Sequence, residues 1–248
     1  MKPSHKGHKE AHHEVETCQH CVVVCSQSLE STPGYVVSGL SRAFSIAVDG
    51  GLSHFKKLKL EPMIWVGDRD SLVLSEKQIA KSVEHFVLLK REKTFSDLEA
   101  ALAIAEQALI EGMWRGDLIL LAAQGGRLDH ELVNLLVVHR WLSELSKRLK
   151  PAECPSVFSY GSQGVWVATN HEFEFDHPRG AVFSVVALAS GMKVSISGAK
   201  YNLKNKALEP GALGLSNVGT GKSVKIKLSK TSAQTTGPVF IFMPHLVK

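Results

Sequence analysis

The apolar positions of this chain fall into two textures, and the change between them comes near Lys150-Pro151. Before it, short unbroken apolar runs alternate with polar or helix-patterned stretches: Cys21 to Cys25 (CVVVC), Ser45 to Val48 (SIAV), Met63 to Val66, Phe86 to Leu89 (FVLL) and Leu118 to Ala123 (LILLAA). Runs of that length without polar alternation predict strands buried on both faces, and therefore a largely parallel sheet covered by helices. Two helices follow from period and end signals. After Ser96, apolar residues at Leu98, Ala101, Leu102, Ala105 and Leu109 give one buried face, and Ser96 with Glu99 fits the S-x-x-E capping box. A second helix starts near Asp129 and carries Leu132, Leu135, Leu136, His139 and Leu142 along its stripe.

Beyond the change, runs such as VWVAT, AVFSVVAL, MKVSIS, SVKIKL and PVFIFM are separated by Gly, Asn, Asp and Pro. Val224, Ile226 and Leu228 alternate with Lys225 and Lys227, the period of a strand with one wet face. The expected architecture is thus an α/β N-terminal domain with a mostly parallel sheet, followed by an all-β antiparallel sandwich domain. Its expected boundaries are a flexible His-rich tail over 1–17, the α/β domain over 18–152 and the sandwich over 153–248.

Candidate chemistry gathers where the strands stop. Four of the five runs are followed by unusual polar segments, DGG (49–51), GDRDS (67–71), KREKTFSD (90–97) and QGGRLDH (124–130). Ligands of open parallel sheets bind beyond the carboxyl ends of the strands, so four such segments on one edge form a composite site. In extended backbone, Asp68 and Asp70 project to the same side and can aim at one hard cation such as Mg²⁺. A strand, then Gly125-Gly126, then a helix amino end is an arrangement that cradles phosphate, and Arg127 could hold it bidentately. Taken singly, each segment also has a plainer reading. Asp68 and Asp70 fit a solvated turn, Asp97 stabilises the first turn of a helix, and a Gly-Gly pair is a common tight turn.

Composition narrows the partners. The chain has 248 residues, 44% hydrophobic and 21% charged, which is an ordinary globular composition with enough length for a proper core. A net charge of +5 favours anionic ligands, but no Lys/Arg run with interleaved aromatics predicts a nucleic-acid groove. The amino end lacks an apolar signal region, and nothing approaches the roughly 18 apolar residues of a membrane span, so a cytoplasmic location is expected. Cys18, Cys21 and Cys25 crowd near the start and leave Cys154 alone, which is not a disulfide framework. Cys18 and Cys21 lie near His5, His8, His12 and His13, yet no second CxxC accompanies them, and the stretch is expected to be a loose tail.

Together, AVDGG (Ala47 to Gly51), VGDRDSL (Val66 to Leu72), FSDLEAAL (Phe95 to Leu102) and GGRLDHELVNL (Gly125 to Leu135) resemble the motifs of the thiamine pyrophosphokinase family. SGAKYNLKNKALEPGALGLSN (Ser197 to Asn217) is similar to that family's thiamine-binding β domain, and the resemblance runs from about Cys21 to the end. It implies a homodimer with ATP and Mg²⁺ on the α/β domain, and thiamine between that domain and the partner's β domain. The implied reaction moves pyrophosphate from ATP to the hydroxyethyl oxygen of thiamine, giving thiamine diphosphate and AMP. At matching positions, the resemblance implies Asp68, Asp70 and Asp97 as catalytic residues and metal ligands. It likewise implies Asp49, Gly50, Gly125, Gly126, Arg127 and Asp129 on ATP, and Ser216 and Asn217 on thiamine. Asp97 and Asp70 are alternative acceptors for the hydroxyl proton.

The chain departs from the family pattern in four places. Thr94 replaces an aspartate, Ser96 replaces a threonine, Met63 follows Pro62 where Pro-Asp is usual, and Ser26-Gln27 replaces Asn-Gly. Two rival readings stand beside the family's reaction: a pyrophosphokinase acting on a pterin-like alcohol, since the α/β site alone does not name the acceptor, and, motivated by Thr94, a nucleotide- or thiamine-binding protein without turnover.

Overall fold

The computed structural model describes residues 17–68, 75–230 and 237–244. Five parallel strands, β1 (Cys21–Val24), β2 (Phe44–Val48), β3 (Ile64–Gly67), β4 (His85–Leu88) and β5 (Leu118–Leu121), lie in the order β5-β1-β2-β3-β4. Each matches one of the apolar runs. Helices α1 (Gly34–Gly39), α2 (Leu52–Leu58), α3 (Glu76–Ala80), α4 (Asp97–Ile110) and α5 (Leu128–Leu145) connect them or lead out of the last. The first three are too short to carry a readable 3.6-residue period, and only α4 and α5 were legible in advance.

One face of the sheet packs Phe44, Ile46, Val66, Leu118 and Leu120 against Leu98, Leu102 and Ala105 of α4 and Val138 and Leu142 of α5. The other face packs Val22, Val24 and Trp65 against Leu40, Leu52 and Phe55. The predicted capping box forms: the Ser96 amide donates to the Glu99 carboxylate at 2.7 Å, and the Glu99 amide donates to Ser96 Oγ at 3.2 Å. One expectation changes at the sheet edge. Because β4 is the outermost strand, Phe86, Val87 and Leu88 are exposed instead of buried on both faces.

After α5, β6 (Val157–Gly161) returns to pair in parallel with β5, and β7 (Gly164–Thr169) turns back antiparallel. β14 (Val239–Pro244), β9 (Val182–Ala187) and β12 (Asn217–Val218) extend the same sheet to ten strands. A second sheet of four strands, ordered β11 (Leu203–Leu208), β10 (Met192–Ser197), β13 (Ser223–Lys230) and β8 (Phe173–Asp176), covers one side of this extension. Between the two sheets Phe183, Val185 and Ile241 meet Val194, Ile196, Val224 and Ile226 in a dry core. The α/β-then-sandwich architecture read from the sequence is what the chain adopts. The sheet itself runs unbroken from one part into the other, a continuity that β-strand periodicity does not encode.

Among the described residues no helix is long and apolar enough to cross a membrane. All four cysteines are free thiols. The His-rich stretch falls almost wholly in 1–16, outside the described residues.

Candidate active site

The carboxyl ends of β1, β2, β3 and β5 open onto one cleft of about 360 Å³. Its lining includes Ser26 and Gln27 after β1, Asp68 after β3, Lys93, Ser96 and Asp97 before and at the start of α4, and Gly125, Gly126 and Arg127 after β5. The four strand-end segments of the sequence therefore do converge, as open parallel sheets dictate.

Two residues at these ends adopt left-handed backbone although neither is glycine: Asp49 at φ 44° and Ala122 at φ 53°. Such conformations cost of order 1–3 kcal/mol and persist only where the surroundings fix them. At Asp49 the surroundings are explicit. The Trp65 indole N–H donates to the Asp49 carbonyl at 3.0 Å, with Trp65 fully buried. Gly67 lies so near that a Cβ there would sit 3.0 Å from Asp49 Cα, Cβ and Oδ1. The glycine of VGD thus lets two strand ends bring their aspartates together. Trp65→Phe keeps a ring in the core but deletes the donor, and is expected to cost about 2 kcal/mol and to lower turnover. Thermal unfolding together with an activity assay checks this, and a variant indistinguishable from wild type in both would contradict the role given to Trp65.

The result is a cluster. One carboxylate oxygen each from Asp49, Asp68 and Asp97 lie within 4.8 Å of one another. The Lys93 ammonium bridges two of them, 2.6 Å from Asp68 Oδ2 and 3.0 Å from Asp97 Oδ1. Burial alone would lower the Lys93 pKa, but its hydrogen bonds to Asp68 and Asp97 outweigh that and raise it, so it stays charged. Asp49 is buried at 4% exposure, which marks the site as one built around charge. The donor set fits a hard divalent cation: the ligand atoms are all carboxylate oxygens, and a cationic group already sits between two of them. Cys25 also lines the cleft, but burial first and the Asp97 carboxylate second push its thiol up to about 12, which removes it as a nucleophile.

Across the cleft is the glycine turn. Gly125 has φ 76°, and its amide donates to the Glu131 carboxylate one turn into α5. Gly126 leaves room for Gln27, since a Cβ there would meet the Gln27 side chain at 2.8 Å. Arg127 and Asp129 form an exposed bidentate pair, 3.1 Å from Nε to Oδ1 and 2.6 Å from Nη2 to Oδ2. The bond from Arg127 holds the Asp129 carboxyl below its ordinary pKa. An exposed pair of this kind is worth little, so its fork can be given up to a phosphate at small cost. A second hollow of about 320 Å³ adjoins the cleft through Gln124, Gly125, Glu131 and Asn134 and is walled by Trp166 and Phe242.

The remaining sequence candidates sit apart. Gly50 is buried in the turn after β2 and is not among the cleft's lining residues. Asp70 lies outside the described residues. Asn217 is buried in β12, its Oδ1 accepting from the amides of Tyr201 at 3.0 Å and Val218 at 2.8 Å, its Nδ2 donating to the Tyr201 carbonyl at 2.8 Å. Ser216 precedes it in left-handed backbone at φ 52°, its amide donating to Ser184 Oγ at 3.1 Å. Around this pair Tyr201, Leu213 and Leu215 are exposed, and the Lys200 ammonium lies 5.2 Å from the Tyr201 ring centre. Sequence reasoning passed over Lys93, whose place four residues before Asp97 on a helix entry was the available signal. It also passed over Asn134, which shares a helix face with His130 and donates to the Ala123 carbonyl at 3.0 Å.

The family model described as thiamin pyrophosphokinase, catalytic domain, matches residues 40–150, and the one described as thiamin pyrophosphokinase, vitamin B1 binding domain, matches residues 170–232. The chain belongs to the thiamin pyrophosphokinase family. As a thiamin pyrophosphokinase, it is an enzyme that pyrophosphorylates thiamine, and the vitamin B1 binding match favours thiamine over a pterin-like alcohol as acceptor. No curated protein matches the chain. The thiamine pyrophosphokinase of Bacillus subtilis has a similar structure, with a TM-score of 0.70 at 17% identity, covering 92% of this chain and 100% of that one. That of Geobacillus thermodenitrificans gives 0.65 at 20% identity, covering 93% and 99%, and that of Candida albicans 0.65 at 13%, covering 92% of each. At such identities these neighbours speak to the fold, and the two domain matches carry the family.

Proposed function

We propose that ATP is the pyrophosphate donor, that its polyphosphate lies between the Asp49–Asp68–Asp97 cluster and the Gly125-Gly126-Arg127 turn, and that Mg²⁺ accompanies it. The observation that carries this is the pairing of opposites across one cleft: Asp68 and Asp97 on one wall, with the buried Asp49 carboxylate behind them and all three within 4.8 Å of one another, and a helix amino end with an arginine on the other. Asp49, Asp68 and Asp97 would hold a Mg²⁺ ion, which would supply positive charge to the polyphosphate oxygens. The Gly126 amide and Arg127 orient the same group from the other side, so the β-phosphorus faces the thiamine hydroxyl. Attack forms the new O–P bond, AMP leaves with the old bridging oxygen, and the hydroxyl proton passes to a carboxylate, Asp97 of the cluster or Asp70 of the same sequence segment as Asp68.

In this reading residues 18–152 carry ATP and residues 153–248 carry thiamine. Among the described residues none between Val167 and Ile241 lines the cleft or its adjoining hollow, so Ser216, Asn217 and the exposed Tyr201 do not reach the site within one chain. A second copy supplies them. Leu128, Leu132 and Leu136 on α5 repeat at four-residue intervals beside the glycine turn and are 79%, 53% and 49% exposed, a stripe suited to cover by that copy.

The test is AMP release from ATP. It is expected to need both thiamine and Mg²⁺ and to stop on chelation; formation of ADP, or no nucleotide product, would sink the reading. Sedimentation is expected to give a dimer, and a monomer with full activity would refute the shared site.

A further inference from the structure

The cluster does not stand open to a metal in this structure, because a side chain of the same protein is already in it. Lys93 reaches Asp68 and Asp97 at 2.6 and 3.0 Å and is itself only 11% exposed. An ammonium so placed raises the electrostatic cost of bringing a second cation to the same oxygens, since two like charges a few ångströms apart repel strongly in a partly dry site. The arrangement also has a function in the fold without substrate, where Asp49, Asp68 and Asp97 crowd together and repel one another unless a cation sits among them.

We propose that Lys93 is an internal counter-cation that holds the metal's place and makes metal binding depend on the nucleotide. Lys93 lines the cleft, and so do Arg91 and Arg127. When a polyphosphate enters, the ammonium gains an anion to turn toward, and the carboxylates it leaves become available to the metal. Without the polyphosphate the ammonium has no better partner, so metal alone binds poorly. The consequence is a metal loaded with its nucleotide and not before it. Lys93 is a positioning residue in this scheme, acting on the metal through Asp68 and Asp97. The inference rests on the cluster being the metal site.

The test is Mg²⁺ binding to the full chain without nucleotide, measured by calorimetry and by the rise of the unfolding midpoint with Mg²⁺ concentration. Lys93→Met is expected to bind Mg²⁺ about tenfold tighter or more than wild type, and to have a lower midpoint that Mg²⁺ restores. Lys93→Arg, which keeps the charge, is expected to respond as wild type does. Lys93→Gln retains a neutral hydrogen-bond donor and replaces the methionine variant if that one does not fold. Adding Asp68→Asn to Lys93→Met is expected to remove the tighter binding.

Unchanged or weaker Mg²⁺ binding by Lys93→Met overturns the proposal. If that binding is still abolished by Asp68→Asn, the metal site survives and only the role of Lys93 falls. If neither wild type nor variant binds Mg²⁺ with or without a non-hydrolysable ATP analogue, the metal reading fails and takes the proposal with it.

Discussion

Asp68→Asn is expected to lower thiamine pyrophosphorylation by about 10³-fold or more while the protein stays folded. The substitution keeps the size and shape of the side chain and removes one negative charge from a cluster whose ligand oxygens lie within 4.8 Å of one another. Two stability effects oppose each other. Lys93 loses its 2.6 Å partner but keeps Asp97 at 3.0 Å, so it is not stranded without an anion. Repulsion among the remaining carboxylates falls at the same time. The net change in folding free energy is expected to stay within about 2 kcal/mol, because neither a lone buried charge nor a cavity results. Catalysis has no such compensation, since the transferred group carries charge that a neutral amide does not help to hold. The decisive pair of measurements is AMP release and the thermal midpoint. Activity within tenfold of wild type would contradict the site, and a collapsed midpoint would show Asp68 to be mainly structural.

Gly51→Ala is expected to destabilise the protein by about 3 kcal/mol or more. The backbone itself is ordinary there, with φ −55°, so the cost is not one of left-handed strain. It comes from space. A Cβ on Gly51 would lie 2.0 Å from the Val24 carbonyl oxygen and 2.9 Å from its carbon, both backbone atoms of a fully buried strand in the middle of the sheet. Neither can swing aside as a side-chain end could, so the turn after β2 must move, carrying Asp49 with it. Gly39→Ala is the internal control: it has φ −72° and nothing within 4 Å of the added methyl, and is expected to be neutral or stabilising by up to about 1 kcal/mol. Denaturant midpoints of the two variants check the contrast; equal midpoints would refute the close approach at DGG.

The rival reading of a binding protein without turnover drew on Thr94. In the structure Asp49, Asp68 and Asp97 come together without any contribution from that position. Thr94 is not among the residues lining the cleft, whereas Ser26 and Gln27, also departures, are. His54 Nε2 lies 2.7 Å from the Gln27 carbonyl and fixes that loop against the cleft.

Local chemistry made a good part of this protein legible from its residues. The buried strands are unbroken apolar runs, the long helices carry their period and the Ser96–Glu99 cap, and the lysine alternation in 224–228 marks a one-sided sheet, because each pattern depends on neighbours a few positions away. Strand ends bearing DGG, GD, SD and GGR could be placed on one edge, since parallel strands share a direction. What only the tertiary structure decided involves partners distant along the chain. The pairing of β5 with β6 that fuses the sheets, the left-handed Asp49 held by Trp65, the exposure of β4 at an edge, and the insertion of Lys93 between Asp68 and Asp97 all depend on which segments become neighbours. Periodicity and spacing record a residue's own geometry. They do not record who stands opposite it, and in this cleft that is what distinguishes three separate acidic turns from a carboxylate cluster with a lysine ammonium already in place.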